Sequence, residues 1–374
     1  MHFSSRRQWL AWAGAAWIAG SNGLPAFASP MARRALQFPR DHGSHNDAQT
    51  EWWYLTGHAK TGRGQLFGFQ LTFFRSRVPL STASNGRLAP RQLLFSHAAL
   101  TDVAASRQWH DQRIARWNGI TTRPPEAPRY AQASTEDMAV HIGADAFLRR
   151  ETDGTCTAHI STRDFALRLR CMPTQALLLQ GTEGFSRKGP SDENASYYVT
   201  HPQLNVQGQL RSNGEEMDIE QGKAWLDHEW SASLLPTEAV GWDWIGINLH
   251  NGAALTAFRL RRTDGSTVWA GGSWRANGSS TATSFAATEV NWTPLSHWRS
   301  DRTQASYPVR WRVDTPAGTF VVKALVNDQE LDSRQSTGTV YWEGLSALYD
   351  SSGAGEPLGM GYLEMTGYAG RVRL

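Results

Sequence analysis

Two short stretches hold the residues best suited to chemistry. Ala224–Trp230 reads AWLDHEW and packs Asp227, His228 and Glu229 between Trp225 and Trp230. Thr50–Tyr54 reads TEWWY and sets Glu51 beside Trp52, Trp53 and Tyr54. Asp243 lies a little further on, between Trp242 and Trp244. A carboxyl among aromatic rings is poorly hydrated, which raises its proton affinity and suits it to general acid work. A strand places Asp227 and Glu229 on one face and His228 and Trp230 on the other, so only one of these pairs can face a given pocket. The bland alternative is an ion-pair seam in which Asp227 or Glu229 meets an arginine.

Other chemistries lack their residues. His228-Glu229 invites a zinc-protease reading, but position 232 is Ala where the second histidine is needed. His42 and His45 could ligate a metal, but structural or surface roles come first, and no metal is expected. A serine nucleophile wants a G-x-S-x-G elbow, and neither Gly184–Gly189 nor Gly271–Trp274 supplies one. No P-loop or dinucleotide fingerprint occurs, so no cofactor is expected.

The chain that must position these groups has 374 residues, enough for two domains. Its apolar fraction of 40% and charged fraction of 19% fit a folded globular protein. The net charge is +3; without Arg6 and Arg7 it falls to 35 − 34 = +1, which leaves no footprint for nucleic acid. Seventeen tryptophans suit apolar pockets and interfaces. Ser5-Arg6-Arg7-Gln8-Trp9-Leu10, a short apolar run and Ala26-Phe27-Ala28 form the pattern of a twin-arginine export signal cut near Ala28. The expected location is therefore the periplasm. No stretch is long and apolar enough for a membrane helix, so an integral membrane protein is not expected.

Short strand patterns separated by Gly, Asn, Asp and Pro turns predict an all-β fold. Cys156 and Cys171 flank a stretch that folds about Arg163-Asp164, with Ile160 opposite Leu167 and Cys156 opposite Cys171. The two cysteines are expected to form a disulfide in an oxidising compartment, contributing roughly 3 kcal/mol. The chain also repeats itself. EWWYLTGHAKTGRGQLFGFQLTFFR (51–75) and GWDWIGINLHNGAALTAFRLRR (241–262) each carry an acid beside tryptophans, a strand, a turn, a second strand and a closing arginine. This implies two related β domains. The expected division is an export signal over 1–28, one barrel over 29–225 and a second over 226–374. The loop-rich segments Arg116–Asp137 and Gly181–Asn194 are expected near a barrel mouth.

A family resemblance joins these stretches. Asp41-His42-Gly43 with Thr50–Tyr54, Ser96–Leu100, Ala195–Tyr198, Ala224–Trp230, Tyr307–Trp311, Tyr341–Gly344 and Gly361–Tyr368 together resemble the AttH-type lipocalin-like proteins. That group includes carotenoid 1,2-hydratase (hydroxyneurosporene synthase), and its members are often labelled predicted secreted hydrolases. The resemblance implies two tandem lipocalin-like β-barrels, a fold that encloses an apolar ligand. It makes Glu51, Trp52, Trp53, Tyr54, His97, Tyr197, Tyr198, Trp242 and Trp244 candidate ligand-binding residues. In the hydratases a His-x-Trp pair and an acid on the next strand are thought to protonate a C=C. His228 and Trp230 match that pair, but Ala254–Leu260 carries no carboxylate, so Asp227 or Asp243 would supply the proton. Asp227, His228, Glu229, Trp230 and Asp243 are thus the candidate catalytic set. The first reading is an exported module binding a lipid or isoprenoid, with an envelope ABC-type transporter as a conceivable partner. The second is a hydro-lyase acting on an isoprenoid alkene, and the third a secreted hydrolase.

Overall fold

A computed structural model describes residues 31–78, 91–119 and 131–372. The export pattern at 1–28 and part of the 116–137 segment lie outside the described residues. Among those described, regular structure is strand, apart from two single-turn 3-10 helices at Arg40–His42 and Asp192–Asn194.

The strands form two antiparallel sheets, each curled into a barrel-like unit. The first runs in hydrogen-bonded order from Arg107–Trp117 through Gln92–Asp102, Leu66–Arg77, Thr50–Thr61, Glu215–Ser231, Ala195–Ser212, Phe165–Met172, Cys156–Ser161, Ala146–Arg150 and Ala139–Ile142 to Ala131–Ala133. Its two ends come back into contact. The short strands Leu178–Leu179 and Phe185–Arg187 add to Ala195–Ser212. The second sheet runs from Thr283–Phe285 through Thr267–Arg275, Ala254–Arg261, Gly241–Leu249, Gly359–Met365, Thr339–Tyr349, Gly318–Ala324 and Ser306–Thr315 to Asn291–Arg299. The fold is therefore all-β, with two tandem lipocalin-like barrels.

Period-two alternation sorts the side chains. In the first sheet Trp53, Leu55, Phe69, Leu71 and Leu226 point into one core. In the second, Ile245, Ile247, Leu255, Trp342 and Leu363 do the same. The alternate residues of the same strands meet between the barrels, where Tyr54 and Trp225 pack with Trp244, Leu345 and Tyr362.

The boundary expected at 225/226 falls inside a strand. Glu215–Ser231 pairs with Thr50–Thr61 on one side and Ala195–Ser212 on the other up to Ser231. A double ladder holds the strand to its end, so the crossing to the second sheet lies between Ser231 and Gly241.

The Cys156–Cys171 hairpin has the expected register, with the two cysteines as direct cross-strand partners. Both are free thiols in this structure. Directly opposed side chains hold their Cβ atoms about 4.5–5.5 Å apart, at the upper edge of the range of about 3.5–4.5 Å in disulfides. Burial in the apolar core also pushes the Cys156 thiol up to about 12, and that of Cys171 well above its usual range.

Candidate functional site

The AWLDHEW strand lies beside TEWWY, and their register pairs the two motifs residue by residue. Glu51 faces Trp230, Trp52 faces Glu229, Trp53 faces His228, and Tyr54 faces Asp227. Alternation then splits the candidates. Glu51, Trp53, His228 and Trp230 lie on the face turned into the first barrel. Trp52, Tyr54, Asp227 and Glu229 lie on the face turned toward the second barrel.

The inward face is a tie centred on Glu51, which is fully buried. One carboxylate oxygen meets His45 Nδ1 at 2.8 Å and His228 Nε2 at 2.9 Å. The other accepts from Arg75 Nε at 2.7 Å and Ser44 Oγ at 3.1 Å. Burial alone would raise this carboxyl, but Arg75, His228 and His45 outweigh it and hold the group well below the usual range. His45 stacks on Trp230 at 3.7 Å, and His228 stacks on Trp53 at 4.9 Å. Desolvation lowers His228, leaving a neutral ring. His45, Glu51 and His228 are close enough to hold a metal ion. The Arg75 guanidinium, however, already neutralises that carboxylate. The donor set therefore fits an internal ion pair that anchors residues 41–48 over the barrel end.

The outward face opens on a cleft between the barrels. Aromatic rings wall it: Trp52, Phe74, Trp242, Trp244 and Phe258, with Leu234, Leu235 and Leu260 at its side. Into it project Asp227 and Glu229 from the first sheet and Glu343 and Glu364 from the second. Asp227 Oδ1 accepts from Thr200 Oγ1 at 2.5 Å and from Trp225 Nε1 at 2.8 Å, while Oδ2 accepts from the Tyr198 hydroxyl at 2.7 Å. Trp244 Nε1 donates to the same hydroxyl at 3.0 Å. Desolvation outweighs these donors and raises Asp227 to about 7. Burial also raises Glu343 and Glu364, which face each other across neighbouring strands. Like charges side by side cannot both ionise cheaply, so the pair retains a proton, with Glu343 raised well above its usual range and Glu364 raised to about 7. Glu229 differs, because Lys188 closes on it in an ion pair. The Lys188 ammonium also sits 4.8 Å over the Trp52 ring. Lys188 and Ser186 come from the irregular 181–194 segment, which thus reaches the cleft. A second hollow shares Ser186, Tyr198 and Phe258 with the cleft.

Gly246 makes the aromatic wall possible. A Cβ there would lie 2.3 Å from Cη2 of Trp244 and 3.0 Å from Trp225, where the two indoles pack edge to face.

The pattern of the AttH-like family matches residues 29–368, nearly the whole described chain. The protein belongs to the AttH-like family. The crystal structure of a protein described as an AttH from Nitrosomonas europaea is 43% identical, with a TM-score of 0.79, covering 90% of this chain and 98% of that one. Kievitone hydratase from Nectria haematococca shares 14% identity at a TM-score of 0.67, over 90% of this chain and 94% of its own. CghA bound to Sch210972 shares 13% at 0.53, over 85% and 88%. The last two likenesses show the fold alone. No curated protein matches the sequence.

On this AttH-like scaffold the candidate residues separate. Asp227, Glu229, Trp52, Tyr54, Tyr198, Trp242 and Trp244 converge on the cleft. His228, Trp230, Glu51 and Trp53 lie behind it. Tyr197 packs on Trp230, and its hydroxyl accepts from the Arg34 backbone N–H at 2.5 Å. Asp243 turns into the second barrel, where Arg259 Nε at 2.7 Å, Arg261 Nε at 2.9 Å and the Tyr368 hydroxyl at 2.9 Å hold it. His97 lies in the seam between barrels, with Tyr341 and Ser336 hydroxyls each 2.8 Å from a ring nitrogen; burial lowers it to about 3. The internal repeat now has a physical meaning. Its acid and closing arginine are direct cross-strand partners, Glu51 with Arg75 and Asp243 with Arg259, and each pair is buried in its barrel. Sequence reasoning missed Lys188, Glu343 and Glu364. Glu343 and Glu364 stand alone in otherwise apolar strands, TVYWEGLSALY and GMGYLEM, and that isolation was a usable signal.

Proposed function

We propose that the cleft is the active site of a hydro-lyase that adds water to, or removes it from, a carbon–carbon double bond of an apolar substrate. One observation carries this reading: a carboxyl raised to about 7, Asp227, shares an aromatic cleft with Glu343, raised well above its usual range, and Glu364, raised to about 7. Hydration needs a proton delivered to an alkene carbon, and an acid poised near neutral pH both gives and recovers it. The cation that forms needs a low-polarity, electron-rich setting. Trp242 and Trp244, which line the cleft, offer it through their ring quadrupoles. Tyr198, Thr200 and Trp225 fix the Asp227 carboxyl and stabilise the anion it becomes. The neighbouring hollow past Tyr198 and Phe258 favours an elongated, isoprenoid-like substrate. A hydratase with this fold, kievitone hydratase, supports the reading.

The test is a panel of prenyl and terpenoid alkenes incubated in H₂¹⁸O, with products weighed by mass spectrometry. The expected result is an alcohol carrying one ¹⁸O, with kcat lowered about 10²–10⁴-fold in Asp227→Asn. Unchanged turnover in that variant refutes the assignment. Tight binding of the same compounds with no labelled product would establish the carrier reading instead. The twin-arginine pattern supports a site of action outside the cytoplasm.

A further inference from the structure

Three buried polar atoms at or beside the cleft have no hydrogen-bond partner among the described residues: the hydroxyls of Tyr54 and Tyr362 and Oε1 of Glu343. All three side chains are more than nine-tenths buried. Such groups cost free energy unless something satisfies them, and native proteins leave few of them unmet. They lie together. Tyr54 and Tyr362 pack in one cluster between the barrels, and the Tyr54 hydroxyl and the Glu343 carboxyl are close enough to interact. Tyr54 and Glu343 line the cleft, and Tyr54 is the cross-strand partner of Asp227. Gly68 leaves the Tyr362 hydroxyl uncrowded, since a Cβ at that position would come within 3.0 Å of it. Tyr54 comes from the first barrel, and Tyr362 and Glu343 come from the second, so the arrangement exists only in the assembled pair.

We propose that Tyr54, Tyr362 and Glu343 seat one oxygen atom, the water that adds to the substrate. This rests on the hydration reading above. Two hydroxyls and a protonated carboxyl can donate to a water and accept from it, so its lone pair can be turned toward the alkene. The step balances without a further reactant. Asp227 gives its proton to one alkene carbon, and the π pair forms the C–H bond. A lone pair of the seated water forms the C–O bond to the cation. The proton then lost returns to the Asp227 carboxylate, and the net change is alkene plus water to alcohol. The three residues position the nucleophile and do not change charge.

The test uses the full chain and the variants Tyr54→Phe, Tyr362→Phe, Glu343→Gln and Glu343→Leu. A seated oxygen makes each hydroxyl a hydrogen-bonded group, so each Tyr→Phe change should lower Tm by about 2–4 °C. A Tm that holds or rises overturns the seat, because removing an unmet buried hydroxyl relieves the fold. A high-resolution crystal structure should show an ordered oxygen within about 2.7–3.2 Å of two or more of the three atoms. A hydroxyl of a co-purified ligand there, or no density, overturns the assignment to water. On a substrate that turns over, Tyr362→Phe should lower kcat with KM unchanged, and Glu343→Gln should retain activity that Glu343→Leu loses. If no alkene is hydrated, the hydration reading fails by itself, while Tm and crystallography still decide the seat.

Discussion

The Glu51–Arg75 pair should dominate the stability of the first barrel. Arg75 is fully buried and donates to Glu51 Oε2 at 2.7 Å, to Gln92 Oε1 at 2.7 Å, and to the carbonyl oxygens of His45 and Ala48 at 2.8 and 3.0 Å. Arg75→Met keeps most of the stem and removes the charge. It leaves Glu51 ionised and without its cation in the interior, a change that costs about 3–5 kcal/mol. At about 2–4 °C per kcal/mol, Tm should fall by about 6–20 °C. Removing both charges in Glu51→Gln/Arg75→Met should cost less than Arg75→Met alone, because no buried charge is then orphaned. The pH dependence has a definite sign. The folded-state pKa of Glu51 is depressed, so its contribution is fully present above the unfolded value, about 4.3, and is lost as pH falls below it. In Arg75→Met the carboxyl loses that protection, so acidification should narrow the gap between variant and wild type. The assay is urea denaturation of the four proteins of the double-mutant cycle at pH 7 and pH 5. A coupling energy below about 0.5 kcal/mol, the level seen for independent sites, would refute the tie.

Other expectations follow from the cleft and the core. Asp227 is raised in the folded state, so folding favours its protonated form; stability should decline between about pH 4 and 7, and Asp227→Asn should flatten that slope in a Tm-against-pH series. Gly246→Ala should drive a methyl group into the Trp244 and Trp225 indoles, destabilise by about 1–3 kcal/mol and quench or shift tryptophan fluorescence; unchanged Tm and spectrum would refute the packing. Cys156 and Cys171 should resist a thiol reagent in the native protein and yield two thiols on unfolding in urea without reductant; a missing pair of thiols would show that the bond forms.

The strand pattern, the paired barrels and the Cys156–Cys171 register were legible because they rest on local alternation and turn residues. The repeat of acid and arginine was visible too, although its meaning as two buried cross-strand pairs was not. The split of AWLDHEW into two faces likewise follows from period two alone. Which face forms the site does not follow, because nothing within seven residues says what covers each side. His228 and Trp230 look like a catalytic pair beside Asp227, but the residues that meet them, His45 and Glu51, lie more than 170 positions earlier and enclose them in the first barrel. Asp227 shares its cleft with Glu343 and Glu364, more than 110 positions later, at a junction between sheets. The residue types and their alternation set which groups can point together. Only the docking of one barrel on the other decided which carboxyls lose water together, and that shared desolvation raises their proton affinity.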